Sequence, residues 1–276
     1  MTETVIAGST PFGAALRRWR MHRHLSQLAL ALRADVSQRH LSFMESGRAR
    51  PSREMVLRLA EQLDLPLRQR NQLLSSAGYA PVFAERSMDD DALRSVRAAV
   101  DQVLRGHEPF PALAVDRHWH LVAANRALAP LLEGIPDALL APPANVLRLS
   151  LHPEGLAGRI VNLAQWRAHL LDRLRQQVEA SADPVLADLL EELSAYPVAR
   201  STRIAPDAPP VGHPSVFVPL ELATPAGVLT FISTTTVFGT PVDVTVAELA
   251  LECFFPADAA TAERMRALAA GYLAGN

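Results

Sequence analysis

Between Leu25 and Leu65 the chain reads LSQLALALRADVSQRHLSFMESGRARPSREMVLRLAEQLDL, and few folds accommodate that stretch. Ser26 precedes Gln27, and Ser37 precedes Gln38, each at the start of a run with helical spacing. A serine just before the first helical residue accepts a hydrogen bond from an otherwise orphaned backbone N–H. The spacing therefore predicts one helix opening at Gln27 and a second opening at Gln38, with Gln38, Arg39 and His40 in its first turn. Leu30, Ala34, Val36, Leu41 and Met44 fall where two such helices must touch, and Ala31 is small where they approach closely. Pro51-Ser52 starts a third helix running to about Leu63, since the missing N–H of proline is harmless in a first turn.

Helical patterns flank this stretch on both sides. Phe12, Leu16 and Trp19 predict a helix over Phe12 to His24, with Arg17, Arg18, Arg20 and Arg23 around its apolar stripe. Pro66 opens a helix over Leu67 to Ala77, and Gly78 is placed to end it. The polar, small residues 1–11 are expected to be disordered.

Together these residues resemble the Cro/C1-type (XRE) helix-turn-helix family, an all-α, five-helix DNA-binding domain, here at residues 12–78. The resemblance is carried by Ser26-Gln27, Val36-Ser37, His40-Leu41-Ser42, Glu45-Ser46-Gly47 and Pro51-Ser52, and is extended by Leu57, Leu59, Ala60 and Leu63. The turn between the two central helices usually carries Gly; this chain has Asp35, one of the few non-glycine residues that tolerate a left-handed conformation. The resemblance implies that the second central helix enters the major groove of a double-stranded operator. Gln38 and Arg39 are then expected at base edges, since Gln pairs with adenine and Arg with guanine. Ser37 caps that helix, and His40 and Ser42 contact backbone or base. Gln27 is expected at a phosphate, partly through backbone N–H groups. Arg17, Arg48 and Arg50 supply sequence-independent phosphate contact. One such domain offers little contact area, so a homodimer reading two half-sites is expected.

The formal charge of -2 hides an asymmetry. Residues 1–80 carry 12 Arg against 6 Asp and Glu, whereas residues 81–276 carry 15 Arg against 23 Asp and Glu. The basic part is the part with the DNA-binding pattern, as a polyanionic partner requires, and the acidic part argues against nucleic acid there. All 27 basic residues are Arg, which does not hinder phosphate or guanine recognition. Cys253 is the one cysteine, which excludes an intrachain disulfide or a cysteine-based zinc site. The start of the chain has no signal-peptide pattern, and no apolar run has the length of a membrane span. A soluble, cytoplasmic protein is expected, with no membrane partner.

Tyr79 to Asp91 reads as a linker. Asp89-Asp90-Asp91 is then placed to cap a helix over Ala92 to Leu104. From Pro111 the period changes. Leu113 to Val115 predicts a short strand, Asp116 to His118 a turn, and Trp119 to Ala124 a second strand with Trp119, Leu121 and Ala123 on one face. Asn125 is then expected to cap a helix over Arg126 to Leu132. Asn145 to Leu156 is rich in turn residues. A long helix is predicted over Ala157 to Ala180 and another over Asp183 to Tyr196, with a surface loop over Ala205 to Pro214. Val216 to Leu222, Gly227 to Phe238 and Val244 to Phe254 read as three β segments, and a last helix covers about Asp258 to Leu273. Strands, helices and more strands predict an α+β domain over 92–276 with an antiparallel sheet, and its hairpin opening resembles a PAS domain.

Four segments sharpen the resemblance: RARPSREMVLRLAEQLDLPLRQRNQLLSSAGYAPVF, ALAVDRHWHLVAANRAL, NVLRLSLHPEGL and FGTPVDVTVAELALECFFPAD. They resemble the MmyB-like regulators, which join an XRE-type domain to a PAS-like ligand-binding domain, and the likeness runs over roughly residues 12–270. It implies a transcription factor whose C-terminal pocket accepts an apolar small molecule, with fatty acids and other acyl compounds the leading class. Trp166, Phe217 and Phe231 are candidates to line that pocket, and Arg148 to anchor a carboxylate.

Enzyme motifs are missing: there is no GxSxG elbow, no phosphate-binding Gly loop and no HExxH pair. No catalytic residue, cofactor or metal is expected. His118 and His120 lack the further ligands a metal site needs, Glu191-Glu192 reads as a solvated helix face, and Cys253 as an inert buried thiol. Two other readings stand beside the ligand sensor. In one, an XRE-type regulator binds a protein partner through its C-terminal domain; in the other, an enzyme is fused to a DNA-binding domain. A closed apolar pocket favours the sensor, an exposed apolar patch the protein partner, and convergent polar groups with shifted pKa values the enzyme.

Overall fold

A computed structural model describes residues 10–197 and 217–275. The chain divides into two compact units, passing from the first to the second at Glu85–Arg86. The Ala205 to Pro214 loop, Val216 and most of the 1–11 segment lie outside the described residues.

The first unit holds five helices: α1 (Pro11–His22), α2 (Gln27–Arg33), α3 (Gln38–Glu45), α4 (Arg53–Gln62) and α5 (Leu67–Ser76). Hydroxyl caps set four of the starts. Thr10 accepts from Gly13, Ser26 from Ala29, Ser37 from His40 and Ser52 from Met55, all within 3.0–3.2 Å. The first helix thus begins at Pro11, inside the stretch expected to be disordered, because Thr10 caps it. Three helices end on non-glycine residues at positive φ: His24 after α1, Asp35 after α2 and Asp64 after α4. Asp35, at φ 53°, takes the left-handed conformation of the turn before α3. Leu16, Leu30, Leu41, Met44, Val56, Leu59 and Leu74 have no accessible surface and form one core. Gly13 is required for α1 to cross α3, since a Cβ there would lie 2.4 Å from the carbonyl oxygen of Glu45.

The second unit is an α+β domain on a five-stranded antiparallel sheet: β1 (Ala112–Val115), β2 (Leu121–Ala124), β3 (Leu220–Thr224), β4 (Gly227–Val237) and β5 (Ala250–Pro256), in the order β2-β1-β5-β4-β3. Its helices are α6 (Arg94–Gly106), α7 (Asp137–Leu140), α8 (Val146–Leu151), α9 (Leu163–Ser181), α10 (Pro184–Ala195), α11 (Val244–Ala247) and α12 (Ala259–Gly275). β1 is buried on both faces. Ala112 and Ala114 pack with Val100 and Leu104 of α6, while Leu113 and Val115 join the larger core with Trp166, Leu170 and Leu174 of α9 and Phe231 of β4. Small residues thus face the close-packed helix, and large ones face the main core.

Several elements differ from expectation. Trp119 is not in a strand; it sits in the turn at φ 66° and is buried, and β2 starts at Leu121. The Asp116 carboxylate makes that turn by accepting from the N–H groups of His118 and His120, each at 2.8 Å. Asn125 does not cap the segment that follows, which is a 3-10 helix (Arg126–Leu131); it is buried and bridges Ala112, Leu104 and Phe110 instead. Within Asn145 to Leu156 there is a helix, α8, whose start Asn145 caps by accepting from Leu147 and Arg148 at 3.1 Å. The Ala157 to Ala180 helix begins later, at Leu163, because Ile160 bridges to Leu222 of β3. Val244 to Ala247 is a short helix, with the strand beginning only at Ala250. Asp90 caps a 3-10 turn (Asp91–Leu93) ahead of α6.

Candidate nucleic-acid interface and ligand cavity

In the first unit, α3 presents a polar outer side. Gln38, Arg39 and His40 are exposed and Ser42 is half-buried, while Leu41 and Met44 point into the core. Ser37 fixes the helix start through His40 N–H. Two guanidinium groups lie over the Phe43 ring, Arg39 at 5.3 Å and Arg48 at 5.9 Å from its centre. Arg50 lies 5.9 Å from the Tyr79 ring. Such stacking holds long side chains in place without spending their hydrogen-bond donors. Arg17 is exposed on α1. Gln27 is differently employed: its amide donates to Glu45 Oε2 at 2.8 Å. Arg20 meets the same carboxylate through Nε at 2.6 Å and Nη2 at 3.0 Å. Glu45 thereby ties α1, the start of α2 and the end of α3 together.

The second unit has a cavity of about 90 Å³ between the sheet and the helices α8 and α9. Leu113, Leu121, Leu147, Trp166, Leu222 and Phe231 supply much of its wall. Trp166 and Phe231, two of the residues expected at a pocket, are among those that line this cavity. Trp166 also donates its indole N–H to Ser150 Oγ at 2.9 Å, so the ring is fixed in orientation. Phe217 is half exposed and is not among the wall residues. Arg148 stands outside the wall too, in a bidentate pair with Glu192, Nε to Oε1 at 2.9 Å and Nη2 to Oε2 at 2.6 Å. Tyr196 donates its hydroxyl to Glu192 at 2.5 Å. The Arg148 hydrogen bonds hold the Glu192 carboxyl below its ordinary value, against a smaller opposing effect of burial. Burial, then Glu192, pushes the Tyr196 phenol up to about 12.

Arg173 and Glu252 enter the cavity wall as an ion pair, with Glu252 buried. Sequence reasoning did not single them out. A weak signal was there: Arg173 lies three residues after Leu170 and seven after Trp166, on the apolar stripe of α9, and Glu252 interrupts the apolar run of β5. Each is unremarkable alone, and only folding brings them together across 79 residues. His118 and His120 each face one aspartate, Asp183 and Asp116, at 3.0 Å. Among the described residues no group of three or more His, Cys, Asp or Glu converges as a metal site. Cys253 is buried, and burial pushes its thiol up, away from the reactive thiolate. No helix among the described residues is long and apolar enough to cross a membrane.

Comparison with known families adds two findings. A model described as the MmyB-like transcription regulator ligand binding domain matches residues 96–268, and one described as helix-turn-helix matches residues 16–69. Among curated proteins, none matches the chain.

Proposed function

The chain belongs to the MmyB-like transcription regulators, DNA-binding proteins with a ligand-binding domain, and on that premise we propose that it answers to an apolar small molecule, a fatty acid or another acyl compound, held in the cavity of its second unit. The observation that carries this is the wall itself: it is apolar over nearly its whole surface and contains one charged pair. Sites for small molecules are concave and mostly apolar, with a few polar groups that orient the ligand. The strand order β2-β1-β5-β4-β3 supports a PAS-like reading of this domain.

On the DNA side, Gln38 and Arg39 read base edges, with His40 and Ser42 beside them, and Arg17, Arg48 and Arg50 neutralise phosphates. Ser37 fixes the start of that helix, and Gln27 braces α2 against α3 through Glu45. The protein acts as a homodimer on two half-sites about one helical turn apart, in the cytoplasm with the chromosome. Selection of bound sequences from random duplexes, with the chain before and after removal of any retained small molecule, tests this. A two-half-site consensus whose affinity changes on stripping is the expected result. Unselective binding, or a consensus indifferent to stripping, would remove the sensor role.

A further inference from the structure

Phe43 is an aromatic residue that the core does not use. It is half-buried on α3, yet it is not among the apolar side chains packed on the core of the first unit. Its ring lies instead under two guanidinium groups, those of Arg39 and Arg48. Local backbone geometry brings both of them there. Arg39 precedes Phe43 by four residues and so shares its face of α3. Arg48 returns to the ring because the helix ends in a Schellman turn. Gly47 takes φ 74°, the Arg48 N–H donates to the Phe43 carbonyl at 2.8 Å, and the Gly47 N–H donates to the Met44 carbonyl at 3.2 Å. Such a turn sets the residue after the glycine against the residue whose carbonyl it reaches, and an apolar pair is usual at that contact. Here the pair is Arg48 over Phe43. Among the described residues, neither guanidinium takes part in an ion pair or a hydrogen bond.

We infer that Phe43 is a positioning residue for DNA recognition, one ring that holds Arg39 for a base edge and Arg48 for a phosphate. This rests on α3 entering the major groove. A long side chain that is free in solution loses rotamer freedom on binding, and one already held in place loses less. Attraction to the ring face leaves the N–H groups of a guanidinium available to a further partner. An apolar side chain without a π face would fill the space but would not hold the two charges. Base reading and phosphate contact are thus coupled through a side chain that itself makes no contact with DNA.

The test selects a random-sequence duplex library on the full chain, then titrates the most enriched duplex into variants at one salt concentration. Phe43→Leu should bind it about tenfold more weakly and relax selection at the position read by Arg39, with an unchanged denaturation midpoint. Phe43→Tyr keeps the ring face and should bind as the unaltered chain does. Added to Arg39→Ala and Arg48→Ala together, Phe43→Leu should cost nothing further, because the ring then has nothing to hold. The inference is overturned by undiminished binding of Phe43→Leu, or by a lowered denaturation midpoint, which would make Phe43 a structural residue. An equal tenfold loss in the doubly substituted chain also overturns it, since Phe43 would then touch DNA itself. If no duplex is enriched, or neither arginine variant weakens binding, the placement of α3 on DNA fails and takes the inference with it.

Discussion

Arg39 carries the sharpest expectation at the scale of single residues. It is exposed on the first turn of α3 and stacked on Phe43. Removing it in Arg39→Ala should weaken operator binding by about 1–3 kcal/mol and relax selection at one position. Sequence selection with the variant checks this; an equal loss on every duplex would make Arg39 a phosphate contact instead. The polar outer side of α3 was legible because it depends on local order: a cap at Ser37, three polar residues after it, and apolar Leu41 and Met44 beneath. Gln27 shows the limit of that logic. Its position at the start of α2 was legible, but its employment by Glu45, 18 residues on, was not. The Arg173–Glu252 pair was hidden for the same reason, being set by the meeting of a helix and a strand.

Elements in the first unit are joined by a buried carboxylate. The side chain of Glu45 is 4% exposed and that of Arg20 11%. Removing one partner of a buried pair leaves an uncompensated charge, whereas replacing both by apolar residues is often close to neutral. Glu45→Leu should therefore destabilise the first unit by about 3–5 kcal/mol, with Arg20→Met added to it recovering much of the loss. Chemical denaturation of the three chains tests the brace, and an unchanged midpoint for Glu45→Leu would show that it bears no load. Element starts were mostly readable from sequence because a cap is a local bond, as at Ser26, Ser52 and Asp183. Where tertiary structure overrules local pattern, the sequence misleads. Val244-Thr245-Val246 has the β-branched residues of a strand yet forms a turn of helix. Trp119 continues an alternating pattern yet sits at positive φ, held there by the Asp116 loop.

For the whole molecule, carboxyl groups set the response to acid. The Arg148 hydrogen bonds hold Glu192 low, and its own backbone N–H does the same for Glu54. Asp258 is held low by the Thr261 N–H. Burial raises Asp183, but hydrogen bonds from His118 and the Val185 N–H outweigh it and leave it low. Each such group binds fewer protons folded than unfolded. Its stabilisation is present above the unfolded value, 4.5 for Glu192, and is lost as pH falls through the lower folded value. Thermal melts at fixed ionic strength should thus show falling stability below about pH 4.5, with a shallower fall for Glu192→Gln. An identical slope for that variant would contradict the assignment. The division into a basic and an acidic part was legible in the composition, and the α+β class of the second unit in its order of strands and helices. The make-up of the cavity wall was legible only in Trp166 and Phe231, since the wall is gathered from residues between 111 and 254.

Native mass spectrometry of the full chain, incubated with acyl compounds and then denatured, tests directly whether the cavity holds a ligand. Leu128 lines the cavity and is half-buried, so Leu128→Trp fills space there without replacing a fully buried side chain. The unaltered chain should retain one small molecule per subunit and release it on denaturation, and Leu128→Trp should retain none. No retention by the unaltered chain, or equal retention by both, would contradict a ligand held in the cavity.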